Sequence, residues 1–158
     1  MELYHGSNQI ISQPKLLKPT HPLDFGAGFY ATTNLEQAIA FAQKIIKWRG
    51  GSAVVNKYLI EEKNLLPFKM LKFDNPDKEW LNFVVENRAN REQKGIAEIV
   101  VGPVANDDVF SVVELYEAGT YTENEALERL KIKKLFNQYV FKTQNVINLL
   151  TFKEGKYV

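Results

Sequence analysis

Apolar and polar residues change their spacing several times along the chain, and each change marks an element. "ELYHG" near the start reads as a strand, as do "GFYATT", "SAVVNKYLI", "FKMLKF", "AEIVVGPV" and "QYVFK". "PTHPLDFGAG", dense in turn formers, separates the first two as a loop. Helical spacing appears in "NLEQAIAFAQKIIKW", where Asn34 stands as N-cap with Gln37 three residues on. Ala38, Phe41, Ala42 and Ile45 make its apolar stripe, and Gly50-Gly51 stops it. Asn75 as cap and Pro76 as first helical residue open "DKEWLNFVVENRANREQ", with Trp80, Leu81, Val84 and Val85 on one side. "DDVFSVVELYEAG" and "TENEALERLKIKK" also read as helices, the second with Thr122 and Glu125 as a capping box. "NVINLLTF" ends the pattern near the surface. No repeat, linker or shift in composition divides the chain, so one domain over residues 1–158 is expected.

Composition narrows the class. At 158 residues, 45% hydrophobic and 12% aromatic, the chain has the means to bury a core, which excludes a disordered segment. Its 20 basic and 19 acidic residues leave a net charge of +1, so the whole molecule is not a polyanion binder, although a local basic groove stays open. The absence of cysteine removes disulfides, thiolate metal sites and cysteine nucleophiles. His5 and His21 have no paired spacing, and no metal is expected. No apolar run reaches membrane-spanning length and no secretory signal is legible, so a soluble cytoplasmic protein is expected.

Taken singly, the chemistry-bearing residues have plain readings. His5 closes a strand, Tyr30 and Phe41 are core aromatics, and Gln138 is a polar strand residue. Their order changes this. "YHGS", then "GAGFY" on a strand leading into a helix, then "QYVF" on a late strand, resemble the ADP-ribosyltransferase superfamily in its branch with diphtheria toxin and the poly(ADP-ribose) polymerases. Over nearly its whole length, through "LYHGS", "DFGAGFY", "FVVENR" and "GPVAND", the chain also resembles an uncharacterised bacterial family.

The first resemblance implies an α/β (α+β) fold of two small, mostly antiparallel sheets packed face to face with helices around them and a cleft between. It implies NAD as substrate, with no metal. The main chain of Gly6 would pair with the nicotinamide carboxamide, and only a residue without a Cβ permits that approach. His5 would hydrogen-bond the adenosine ribose, with Ser7 alongside. Tyr30 and Phe41 would sandwich the nicotinamide ring, and Gln138 would occupy the place of the family's glutamate beside the nicotinamide ribose. The implied catalytic set is His5, Tyr30 and Gln138. Two departures matter: an amide at 138 orients hydroxyls but carries no charge, and Ala38 stands where a serine commonly donates to the carboxamide.

The implied function is mono-ADP-ribosyl transfer from NAD to a macromolecular acceptor, protein slightly ahead of RNA, in a toxin or defence component with a cognate antitoxin or other partner protein. The alternative is a non-catalytic module that binds NAD, ADP-ribose or a protein after loss of the glutamate. Three stretches stay outside this scheme. Asn106 and Asp107 read as a helix cap or as acceptor contacts; Glu86, Asn87 and Arg88 as a solvated helix end or a phosphate site; Lys131, Lys133 and Lys134 as a dipole-favoured helix end or an RNA contact.

Overall fold

The computed structural model describes residues 1–92, 94–104, 107–131 and 135–158. Seven strands form β1 (Glu2–Ser7), β2 (Phe29–Thr32), β3 (Val54–Leu59), β4 (Met70–Lys72), β5 (Ile99–Pro103), β6 (Asn137–Phe141) and β7 (Thr151–Tyr157). The helices are α1 (Leu35–Arg49), α2 (Lys78–Arg88), α3 (Asp107–Glu117), α4 (Glu123–Lys131) and the single turn α5 (Gln144–Ile147), with a 3-10 turn at Glu62–Leu65.

The strands make one mixed sheet in the order β4-β5-β6-β2-β1-β3-β7, antiparallel except for β4 beside β5. The mixed α/β class agrees with the sequence; the expected pair of face-to-face sheets does not. β1 and β2 pair at Tyr4–Thr32, and that pair keeps β4-β5-β6-β2 and β1-β3-β7 in one continuous sheet. Among the described residues it is the whole of the β1–β2 ladder, whereas β1 and β3 share six pairs and β2 and β6 share four.

Alternation along the strands sends two cores to the two faces. Leu3, Phe29, Ala31, Tyr58, Ile99, Val101 and Phe141 pack on one face with Val146, Ile147 and Leu150. On the other, Val100 and Val140 meet Trp80, Leu81 and Val84 of α2, Val109, Val112 and Val113 of α3, and Ala126 and Leu130 of α4. Helix α1 lies on that second face over β1, because a Cβ on Gly6 would collide with the Ala38 carbonyl and stand 2.8 Å from Ala42 N.

Local signals explain most boundaries. The Asn34 side chain accepts from Gln37 N at 2.8 Å, and Gly50 closes α1 at φ 70°. Thr122 and Glu125 exchange the reciprocal bonds of a capping box. The cap of α2 is Asp77, not Asn75: its carboxylate accepts from Trp80 N at 3.0 Å, which leaves Pro76 outside the helix. The same helix stops at Arg88, short of the expected end, because Asn90 adopts φ 58°. "NVINLLTF" resolves into α5 and the start of edge strand β7. The reading of Asn106 falls outside the described residues, as do Lys133 and Lys134. Among the described residues no helix is long and apolar enough to cross a membrane.

Trp80 ties α2 to the sheet, its indole N–H donating to Pro103 O at 3.1 Å from a fully buried position. Trp80→Phe removes that donor and opens a small void, and a stability loss of about 2 kcal/mol is expected in urea unfolding.

Candidate functional site

The place where β1 and β2 part gathers most of the candidates. Continuing the register past Tyr4–Thr32 sets Gly6 opposite Tyr30, yet no ladder pair joins them among the described residues. The His5 side chain bridges the gap, with Nδ1 2.6 Å from the Tyr30 carbonyl oxygen. A carbonyl only accepts, so the imidazole carries its proton on Nδ1 and, when neutral, keeps Nε2 as an acceptor. Burial holds the His5 pKa below the ordinary histidine value, with the Tyr30 carbonyl opposing in part, so the neutral ring is favoured.

Strand alternation and register sort the side chains by face. Tyr4 opposes Thr32, Thr32 opposes Gln138 and Tyr30 opposes Val140, which places Gly6, Tyr30, Thr32 and Gln138 on the face that α1 covers. Tyr30 and Gln138 are diagonal neighbours there, a separation of about 7–8 Å between their positions. Phe41 joins this side from α1, 49% exposed although it belongs to the apolar stripe; Ala38 and Ala42 of the same stripe are buried against β1. His5 and Ser7 project from the opposite face, where the imidazole stacks on Phe29 with ring centroids 4.5 Å apart. The register therefore sets Gly6, Tyr30 and Gln138 on one face and links His5 to them through the Tyr30 backbone, while Phe41 stands half-exposed on α1 outside both buried clusters.

Gln138 is 9% exposed, and none of the described residues hydrogen-bonds its amide. Beside it, Thr32 Oγ1 lies 2.9 Å from Gln37 Oε1 and 3.1 Å from Asn137 O, sharing one proton between them. Tyr30 is fixed at its far end: the hydroxyl donates to Gly26 O at 2.7 Å and accepts from Phe25 N at 3.1 Å. Burial raises the Tyr30 pKa well above the phenol value, so this hydroxyl stays protonated and acts as an anchor, not a base.

The loop that anchors Tyr30 is itself clamped by residues whose part the sequence reading missed. Asn87 Nδ2 donates to Asp24 O at 3.1 Å, and Arg88 Nε to Asp24 Oδ1 at 2.7 Å, with the guanidinium 4.1 Å over the Phe110 ring. On the other side Glu92 accepts from Ala27 N at 3.0 Å and pairs with Lys142 Nζ at 2.6 Å, while Lys142 also donates to Phe25 O at 2.7 Å. Gly26 sits at φ 75° against the Glu92 carboxylate, where a Cβ has no room. The solvated-face reading of Asn87 and Arg88 is corrected: Asn87 is buried and the Arg88 side chain is 11% exposed. The signal was present, since residues 80, 81, 84, 87 and 88 follow one helical stripe. Among the described residues no three His, Asp or Glu side chains are placed to hold a metal ion.

Glu92→Gln leaves the Lys142 ammonium, 8% exposed, without its counter-charge. A loss of about 3 kcal/mol is expected in urea unfolding, with much of it recovered when Lys142→Met is added. His5 gives a pH test. Its folded pKa lies below that of the unfolded chain, so the unfolded state takes the proton first on acidification, and His5 lowers stability as the pH falls below about 6.5. Thermal melts from pH 7.5 to 5 are expected to drop more steeply for the wild type than for His5→Asn. Equal slopes would show that His5 is not held neutral.

No curated protein and no solved structure matches the chain. A family model matches residues 1–152, nearly the whole sequence, and the chain belongs to that family, described as Protein of unknown function (DUF3990).

Proposed function

We propose that the protein binds NAD at the parted edge of β1 and β2 and transfers its ADP-ribosyl group to a macromolecular acceptor. The observation that carries this reading is that Gly6 faces Tyr30 across a gap that no ladder pair closes among the described residues, spanned by the His5 imidazole. A strand edge left without a ladder partner suits a planar amide, and an anchored phenol ring beside it suits a planar heterocycle. In this reading the Gly6 main chain pairs with the carboxamide. Tyr30 and Phe41 lie against the two faces of the nicotinamide. Nε2 of His5 accepts from a hydroxyl of the adenosine ribose with Ser7 alongside, and the Gln138 amide holds the nicotinamide ribose.

The bond that breaks joins the ribose anomeric carbon to the pyridinium nitrogen. Its electron pair stays on nitrogen, so nicotinamide leaves neutral without a general acid. The acceptor contributes a lone pair to the anomeric carbon and gives its proton to solvent. Orientation and charge stabilisation then set the rate. Gln138 supplies the first and not the second, so slow single transfer is expected and chain elongation is not. The same amide favours one other reading, a cleft that holds NAD or ADP-ribose without cleaving it.

Calorimetric titration with NAD is expected to show binding that Tyr30→Ala abolishes in a protein that still folds. Nicotinamide release separates the two readings: the transfer reading expects measurable release from the wild type and a several-fold increase in Gln138→Glu at equal NAD saturation. Binding without release in either protein assigns the non-catalytic cleft. Absence of binding at millimolar NAD overturns both.

A further inference from the structure

We propose that the flank of α1 leading away from this site is the seat of the acceptor, and that the acceptor is a single-stranded nucleic acid. The acceptor role rests on the transfer reading above; the surface itself does not. Gln37, Phe41, Lys44 and Trp48 recur at intervals of four, three and four residues, which places them along one side of the helix. The strip begins at the site, because the Gln37 side chain meets Thr32, whose cross-strand neighbour is Gln138. From there it runs about 16 Å to Trp48.

The strip mixes aromatic rings with cations. Phe41 is 49% exposed and Trp48 70%, with Lys44 Nζ 5.4 Å from the indole centroid. Lys47 and Arg49 are exposed in the last turn, and α1 has no acidic residue after Glu36. An exposed indole among cations matches a chain of phosphates carrying bases: the cations meet the backbone and Trp48 stacks a base, while Phe41 at the near end is taken up by the nicotinamide. An acidic polypeptide would satisfy the cations, whereas a base also offers the indole a flat π-face to stack on. The net charge of +1 makes the attraction local, so the salt dependence reflects Lys47 and Arg49 and not a global field.

The test uses the full chain without NAD and fluorescein-labelled mixed-sequence RNA and DNA 20-mers, read by fluorescence anisotropy. The wild type is expected to bind with a log–log salt slope of about −1.4, two cations against single strands. Trp48→Ala, at an exposed position outside the NAD site, is expected to weaken binding by about tenfold or more. Lys47→Gln with Arg49→Gln is expected to flatten the slope, and melting curves of both variants to match the wild type. No binding by folded wild type at 50 mM salt overturns the proposal. So does binding that Trp48→Ala leaves unchanged, or that poly-glutamate displaces as readily as an oligonucleotide of equal charge; the last assigns an acidic protein partner.

Labelled NAD then tests the acceptor role: Trp48→Ala should keep wild-type nicotinamide release and lose label transfer to the oligonucleotide. Oligonucleotide binding that depends on Trp48, with no nicotinamide release by the wild type, overturns the acceptor role and leaves the surface. Release without oligonucleotide binding overturns the surface and leaves the NAD chemistry.

Discussion

The imidazole of His5 spans the one place where this sheet is barely a sheet. With a single residue pair between its two central strands, the halves need a second tie to hold their spacing, and the Nδ1 bond to the Tyr30 carbonyl supplies it. A side chain making that tie has a different effect from a ladder bond: it holds the strands apart as well as together. The lip at Gly6 persists because a ring, not a main-chain amide, fills the gap. The tie also demands a neutral ring donor, which burial against Phe29 favours.

Tyr30 depends on a second constraint, a loop held chiefly by side chains from elsewhere. Within Leu23–Gly28 the main chain makes one internal turn bond, Gly26 N to Leu23 O at 3.0 Å. The remaining partners come from the end of α2, the segment after it, Lys142 just past β6 and Tyr30 itself. Charged groups in such a network are costly to bury and are retained only when each finds a partner. Among the described residues Arg88 Nη2 is the exception, buried with no hydrogen-bond partner there. The orientation of the Tyr30 ring thus rests on how α2 terminates, through Asn90 at positive φ and the turn that carries Glu92 to the loop.

Much of the fold was legible because its signals are local. Asn34 with Gln37, Gly50, and Thr122 with Glu125 mark helix ends through bonds made within a few residues, while alternation and short runs of apolar residues mark the strands. What was not legible depends on distant partners. Whether two groups of strands form one sheet or two turns on the single pair Tyr4–Thr32, which no periodicity encodes. Asp77 displaced Asn75 as a cap because the helix begins after Pro76, and boundaries of this kind shift by a residue or two without disturbing the apolar stripe. Asn87 and Arg88 were misjudged by residue type: polarity suggested solvent, while their spacing from Trp80 and Val84 placed them inside. The candidate residues could be named from the sequence but their geometry could not, since only the register shows that His5 and Tyr30 leave opposite faces.

Gly6 carries one more consequence. A side chain there is excluded by the main chain of α1 at Ala38 and Ala42, before any ligand is considered. The residue is thus required for folding, and the imidazole before it is required to space the strands. Selection for a stable fold alone would preserve a His-Gly pair at this strand end, even in a descendant that had lost all chemistry. In proteins built this way, the dipeptide is a marker of architecture.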